Sequence, residues 1–340
     1  MFDKINKHTF QSVRATLKER LNEKAPSFIQ LIVGPRQVGK TTLILEIASE
    51  WAGRSIYASA DTPEAALPNW REGIWRRIEA LARNGAPAVL LLDEVQYLPD
   101  WSHWLKAKYD EIQRLGLPIR IVASGSSSLQ IGAGARESMA GRFEKLTLSH
   151  WGAGDLAKIA GLAPQEAAYR LVTHGGYPGA VVFWSDPARW QAYVRDSIIE
   201  PAIGRDILHL EKVRKPALLR QVFAVAAAHP SEILSLEKIA GLLAEKGALE
   251  TISHYLDLMH EAFLVTPLQK FSNSEIRRRR SSPKLVVRNN ALLVAGKWQH
   301  LLDERVDKLF NVAMLRLVFN GAVFLYWGSF KMPKVRWRSC

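Results

Sequence analysis

A single cysteine, Cys340, stands in 340 residues. No internal disulfide framework is possible, which excludes the small stapled scaffolds and fits a reducing cytosol. The nine histidines form no HxxxH or HxH pair with carboxylate or cysteine support, and His254 and His260 fall on different faces of a helix, so no zinc-type site is expected. Long apolar runs are also missing. The longest late uncharged stretch, Leu317 to Phe330, has 14 residues, against roughly 20 needed to span a bilayer. The opening MFDKINKHTF has no apolar signal core. There is no internal repeat, and Gly125-Ser126-Ser127 is not a nucleophile elbow. These absences predict a soluble, cytoplasmic protein without a membrane partner. Acid is scarce at one end: residues 271–340 hold 14 Lys/Arg against 4 Asp/Glu, which places +10 of the net +13 there.

What is present starts with LIVGPRQVGKTT, Leu31 to Thr42, which fits G-x-x-x-x-G-K-[ST]. Phe28 to Val33 has the make-up of a buried strand. Leu43, Ile44, Ile47 and Ala48 fall at helical spacing after the loop. Strand, glycine loop and helix is a phosphate-binding arrangement. Gly34 and Gly39 let the backbone N–H groups curl inward, and the helix adds its positive end. The cradle comprises Gly34, Pro35, Arg36, Gln37, Val38, Gly39, Lys40, Thr41 and Thr42. Lys40 is expected to reach the β- and γ-phosphates, and the Thr41 hydroxyl to bind Mg²⁺.

Ala88 to Glu94, AVLLLDE, reads as a second buried strand ending in two carboxylates. Open α/β sheets bind ligands at that edge. Asp93 suits the Mg²⁺-holding position, and Glu94 the activation of a water. The alternative is a plain cap on the following helix, which Trp101, Leu105, Lys108, Tyr109 and Ile112 outline. Ile119 to Ser124 is another apolar strand, followed by GSSS. A hydroxyl there, Ser124 or Ser126, can sense the γ-phosphate or hold the water; an ordinary serine-rich turn is the alternative.

Five strands are expected, at 28–33, 54–59, 88–92, 119–124 and 143–148, alternating with helices, which predicts a parallel sheet covered on both faces. Ahead of them Phe10, Val13, Leu17 and Leu21 mark a lead-in helix. From 155 to about 225 the chain reads as helices broken by His174-Gly175-Gly176-Tyr177-Pro178, a tight turn suited to packing against a base or a neighbouring domain. Residues 231–270 pattern as a winged helix. From Ala248 to Leu264 there is no Lys or Arg, which argues against major-groove readout by its second helix. The run Arg277 to Arg280 is either a solvated linker, as Ser281-Ser282-Pro283 suggests, or a non-specific nucleic-acid contact.

GPRQVGKTT, LLLDEVQ, SGSSSL, AGRFEKLTLS and HGGYPG together resemble a prokaryotic group of AAA-superfamily ATPases, relatives of the archaeal ATPases and signal-transducing NTPases, from about residue 10 to 295. The resemblance implies a P-loop NTPase of α/β class with a sheet in order 5-1-4-3-2, a helical lid, a winged helix and a partial C-terminal domain, divided as 1–150, 151–228, 229–272 and 273–340. It implies ATP as the nucleotide, since no base-reading N-K-x-D motif is present, with Mg²⁺ as cofactor and a homo-oligomer as a possible assembly. It makes Ser124 the sensor, sets Pro178 against the adenine, and matches Arg205-Asp206 to a recurrent pair. It makes Arg142 a candidate arginine finger, to which the alternative is a surface arginine paired with Glu144 or Glu137. Many relatives continue into a restriction-nuclease-like domain. Here Tyr326-Trp327 is followed by no acid, and Asp307 alone stands for the helix carboxylate, so nuclease activity is not expected. The departure reads as a truncated or frame-shifted end. Two functions remain open at this point: an Mg²⁺-dependent ATPase, which Glu94 favours, and a nucleotide switch contacting a partner or DNA, which the basic tail favours.

Overall fold

The computed structural model describes residues 9–23, 28–83, 85–126, 139–207, 213–245, 247–270 and 281–295. Arg277 to Arg280, Asp307 and Tyr326-Trp327 lie outside the described residues. Five parallel strands, β1 (Ile29–Val33), β2 (Ser55–Ser59), β3 (Ala88–Asp93), β4 (Ile119–Gly125) and β5 (Phe143–Thr147), form one sheet in the order β2-β3-β4-β1-β5. That is the expected 5-1-4-3-2 order.

Every residue of β1 and β3 is buried. Alternate side chains serve opposite faces of the sheet. Ile29, Leu31 and Val33 join Leu90, Leu92 and Ile121 beneath α3 (Trp70–Ala82) and α4 (Trp101–Leu115). Ile32, Leu91 and Val122 instead meet α1 (Phe10–Leu21) and α2 (Lys40–Glu50). The lead-in helix buries the four residues its spacing marks, Phe10, Val13, Leu17 and Leu21. Thr9 caps it by accepting from the Ser12 backbone N–H.

Beyond β5 come α5 (Ala153–Ala160), α6 (Pro164–His174), α7 (Pro187–Val194), α8 (Pro216–Ala228), α9 (Leu236–Leu242) and α10 (Leu249–Glu261). Two π-helical stretches, Arg195–Ile199 and Ala202–Ile207, follow α7. Arg205 and Asp206 lie in the second, and their side chains fall outside the description. An antiparallel pair, β6 (Val265–Leu268) with β7 (Lys284–Val287), and the short helix α11 (Asn290–Val294) complete the described chain. One hydrophobic cluster runs from Tyr177 through Val222, Ile252 and Leu264 to Leu285 and Ala295. The division expected at 228/229 separates residues that share this one packed core, and the one at 272/273 lies outside the described residues. Residues 284–295 are part of that body, because β7 needs β6 to satisfy its backbone.

Among the described residues, no helix is long and apolar enough to cross a membrane.

Candidate functional site

Parallel strands deliver all their C-terminal ends to one edge of the sheet, where Val33 pairs with Gly125 and Thr147, and Ser59 with Asp93. The loop from Gly34 to Gly39 leaves this edge. A Cβ on Gly34 would sit 2.1 Å from the Leu148 carbonyl oxygen, so only glycine fits there. Gly39 has φ +97°, and Gln37 takes φ +58° despite its side chain. A left-handed non-glycine residue costs about 1–2 kcal/mol. The Gln37 amide offsets it with two bonds into the second core, donating to the Ser197 carbonyl at 3.0 Å and accepting from the Tyr193 hydroxyl. Trp151 donates from its indole to the Val38 carbonyl at 2.8 Å, and Arg36 donates to the Tyr97 hydroxyl at 3.2 Å. Thr42 is exposed in the first turn of α2.

Lys40 is buried, and its ammonium donates to the carbonyls of Gly34 at 3.0 Å and Pro35 at 2.8 Å. It is thus not the exposed lysine that its place next to Gly39, at the start of α2, suggests. The charge is held by the loop it belongs to.

Asp93 gathers the edge. Its Oδ2 accepts from the Thr41 hydroxyl at 2.7 Å and from Tyr57 at 3.4 Å. Its Oδ1 accepts from the Glu94 backbone N–H at 3.1 Å and from the Ser124 hydroxyl. Burial and the neighbouring Asp93 charge both push the Tyr57 phenol up, so it stays a neutral donor. Ser124 is fully buried against this carboxylate. It orients Asp93, and in this arrangement it is not a hydroxyl presented to a phosphate.

Thr41 and Asp93 offer hard oxygens, one hydroxyl and one carboxylate, which suits Mg²⁺. That ion keeps several waters and takes one or two protein oxygens alongside phosphates. Among the described residues, no group of three or more His, Cys, Asp and Glu forms a metal cage. Glu94 leaves β3 with φ +52° and lies beside, not on, the Thr41–Asp93 pair. Its carboxylate accepts from the Gln96 amide, a partner that motif spacing alone does not reveal. The helix-cap alternative for Asp93-Glu94 fails, since Asp100 precedes α4.

Arg142 requires a correction. Its backbone carbonyl accepts from Ile29 N–H, at the N-terminal end of β1. The phosphate loop begins after Val33, a strand length away, roughly 15 Å at about 3.3 Å per residue. The edge near its own phosphate site is therefore out of reach, which removes a finger acting in cis. Its guanidinium pairs with Asp110 at 2.8 Å, and not with Glu144, which instead meets Gln30 at 2.9 Å. Glu137, another carboxylate expected near it, lies outside the described residues.

The glycine turn after α6 packs between the phosphate loop and Asn289. Tyr177 precedes a 3-10 helix, Pro178–Phe183. A Cβ on Gly179 would lie 2.5 Å from the Tyr193 hydroxyl and 3.3 Å from Gln37 Oε1, which places the Pro178 turn against the phosphate loop. His174 stacks edge-on against Trp190, and burial with Arg170 nearby lowers its pKa to about 4, so it stays neutral. Behind the turn, buried Asn289 accepts from Gly176 N–H and Ala291 N–H, both at 3.1 Å. Gly175 has φ +75°, and a Cβ there would come within 2.1 Å of Asn289 Oδ1 and 2.5 Å of the Ala291 nitrogen. Gly175→Ala is expected to lower stability by about 2 kcal/mol or more. Gly154→Ala, with open space around it, should stay within about 1 kcal/mol of wild type. Urea midpoints of the two variants measure this, and equal midpoints would refute it.

Sheet order, glycine loop and the Thr41–Asp93 contact define a P-loop nucleotide-binding fold. Residues 27–155 match the family described as AAA domain, and residues 165–300 match a domain of unknown function (DUF8612). Residues 27–155 belong to the AAA superfamily of P-loop proteins. Two curated relatives, uncharacterized protein Rv2008c of Mycobacterium tuberculosis and uncharacterized protein Mb2031c of Mycobacterium bovis, are each 31% identical over 301 residues. The match covers 87% of this chain, and the chain spans 62% of the length of those relatives. The Thermotoga maritima RuvB Holliday junction branch migration motor is 17% identical, with 82% of this chain and 90% of that one covered and a TM-score of 0.40. A variant of it gives 18%, 84%, 93% and 0.41.

Proposed function

We propose that this protein binds ATP and hydrolyses it with Mg²⁺, coupling that turnover to a partner or process. The observation that carries the reading is the contact of Thr41 with Asp93, with Glu94 next in the chain. When bound, Mg²⁺ neutralises charge on the β- and γ-phosphate oxygens, and Thr41 and Asp93 are the residues to hold it. The loop N–H groups and Lys40 bind the phosphates, Ser124 keeps Asp93 oriented, and Glu94 takes the proton of the attacking water. The turn at Pro178 is read as the wall beside the adenine. The test is phosphate release from ATP by the purified chain. Turnover is expected with Mg²⁺ and abolished by a chelator, and its absence under both conditions overturns the reading.

A switch is the second reading, favoured by the two bonds that join Gln37 of the phosphate loop to Tyr193 and Ser197 of the helical half. Residues 229–272, with α9, α10 and β6 among those described, are read as a winged-helix-like module that meets a partner. Its helix α10 carries no Lys or Arg, so non-specific nucleic-acid contact is assigned to Arg277 to Arg280. Adding DNA to the same assay separates the two readings: stimulation lost when the four arginines are replaced supports the contact, and indifference to DNA removes it. A cytoplasmic location and a homo-oligomer belong to the same proposal.

For Arg142 a finger in trans is the functional reading that stands beside its surface ion pair with Asp110, since the N-terminal edge of β5 faces away from its own phosphate site. Arg142→Ala should bind ATP normally and lose turnover by up to roughly 10³–10⁵. Mixing it with Lys40→Ala should recover activity, by pairing an intact loop with an intact finger. Wild-type turnover by Arg142→Ala alone rejects the finger.

A further inference from the structure

Gln96 lies two residues beyond Glu94, in the short 3-10 turn Val95–Tyr97 that follows β3. Its amide Nε2 donates to Glu94 Oε2 and also to the Ser126 hydroxyl at 3.3 Å, at the end of β4. Its own Oε1 is buried with no hydrogen-bond partner among the described residues. The partners settle which way the amide faces, because the reverse orientation would set a carbonyl against a carboxylate. A buried carbonyl oxygen left unpaired is unfavourable, and such exceptions call for an explanation. Here the explanation is at hand: the amide is committed to Glu94 and Ser126, and its oxygen is turned into the interior of the site edge.

We propose that Gln96 is a positioning residue for hydrolysis. It ties Glu94 to the end of β4 and so decides which carboxylate oxygen is presented to the attacking water. The Glu94 side chain is otherwise free to turn about its own bonds, and the backbone at φ +52° does not restrain it. Ser126 anchors the amide from the neighbouring strand, so the orientation of the base depends on β3 and β4 keeping their register, in which Leu92 lies beside Ala123. Gln96 touches neither nucleotide nor metal ligand in this scheme, and it acts through Glu94. The proposal rests on the reading of Glu94 as general base.

The test uses the full chain and compares wild type, Gln96→Ala, Gln96→Glu and Glu94→Gln. Steady-state ATP turnover is measured across pH, together with affinity for a non-hydrolysable ATP analogue. Gln96→Ala is expected to lower kcat by about 10–100-fold, the effect of a misplaced reacting group, with KM and analogue affinity unchanged. Gln96→Glu puts a second carboxylate beside the base. Two such groups cannot both ionise freely, so the acid limb of kcat moves up by about one pH unit or more. Wild-type kcat in Gln96→Ala, or analogue affinity falling in step with kcat, overturns the proposal. If Gln96→Ala does not fold, Gln96→Asn, whose shorter amide cannot span both Glu94 and Ser126, decides in its place, and wild-type kcat there overturns the proposal. The underlying reading fails separately, by wild-type turnover in Glu94→Gln.

Discussion

Glu94→Gln is expected to keep ATP binding and to lose turnover by roughly 10²–10⁴, the range for a missing general base. The substitution retains the shape of the side chain and its place after β3, and it removes the group that accepts a proton. Asp93, Thr41 and Ser124 are untouched, so the Mg²⁺ dependence of binding should persist. Asp93→Ala should do the reverse and weaken that dependence, because it deletes the acceptor for the Thr41 hydroxyl. Stopped-time phosphate release combined with nucleotide binding distinguishes the two. Wild-type turnover in Glu94→Gln would leave the carboxylate without a chemical role and favour the switch.

Lys40→Ala is expected to abolish productive nucleotide binding, since on the proposed reading its ammonium is the loop charge that reaches the β- and γ-phosphates. The structure adds a complication, because Lys40 is buried and satisfies the Gly34 and Pro35 carbonyls. Its removal leaves two acceptors unpaired and should also cost about 1–3 kcal/mol of stability. Lys40→Met, which keeps the aliphatic stem, separates loss of charge from loss of packing. Thermal melting of both variants, beside ATP titration, reads the two effects. Unchanged affinity in the folded Lys40→Met protein would refute the phosphate-loop assignment.

These two residues show how unevenly the site is legible in the chain. The loop, the acidic strand end and the five strands are local patterns of apolar runs, glycines and carboxylates, and the observed strand limits differ from the expected ones by one residue at most. The lead-in helix is equally local, with Phe10, Val13, Leu17 and Leu21 one turn apart on a single face. Contacts across the chain are another matter. Nothing at residue 96 announces a bond to Ser126, 30 residues on, and nothing at Gly176 announces Asn289, 113 residues on.

In a parallel sheet each connection must return to the N-terminal edge before the next strand begins, so a residue just before β5 lies opposite the phosphate loop. The sequence by itself determined the class of fold, the strand order its motifs resemble, and the identities of Lys40, Thr41, Asp93 and Glu94, because hydrophobic period and motif spacing act over short stretches of chain. Only the tertiary structure decided that Lys40 is buried, that Asp93 collects Thr41, Tyr57 and Ser124, that Arg142 pairs with Asp110, and that residues 284–295 share a core with Tyr177 and Ile252. Those outcomes depend on which surfaces meet when the sheet twists and its helices pack. That is a property of the whole folded chain and of no single stretch of it.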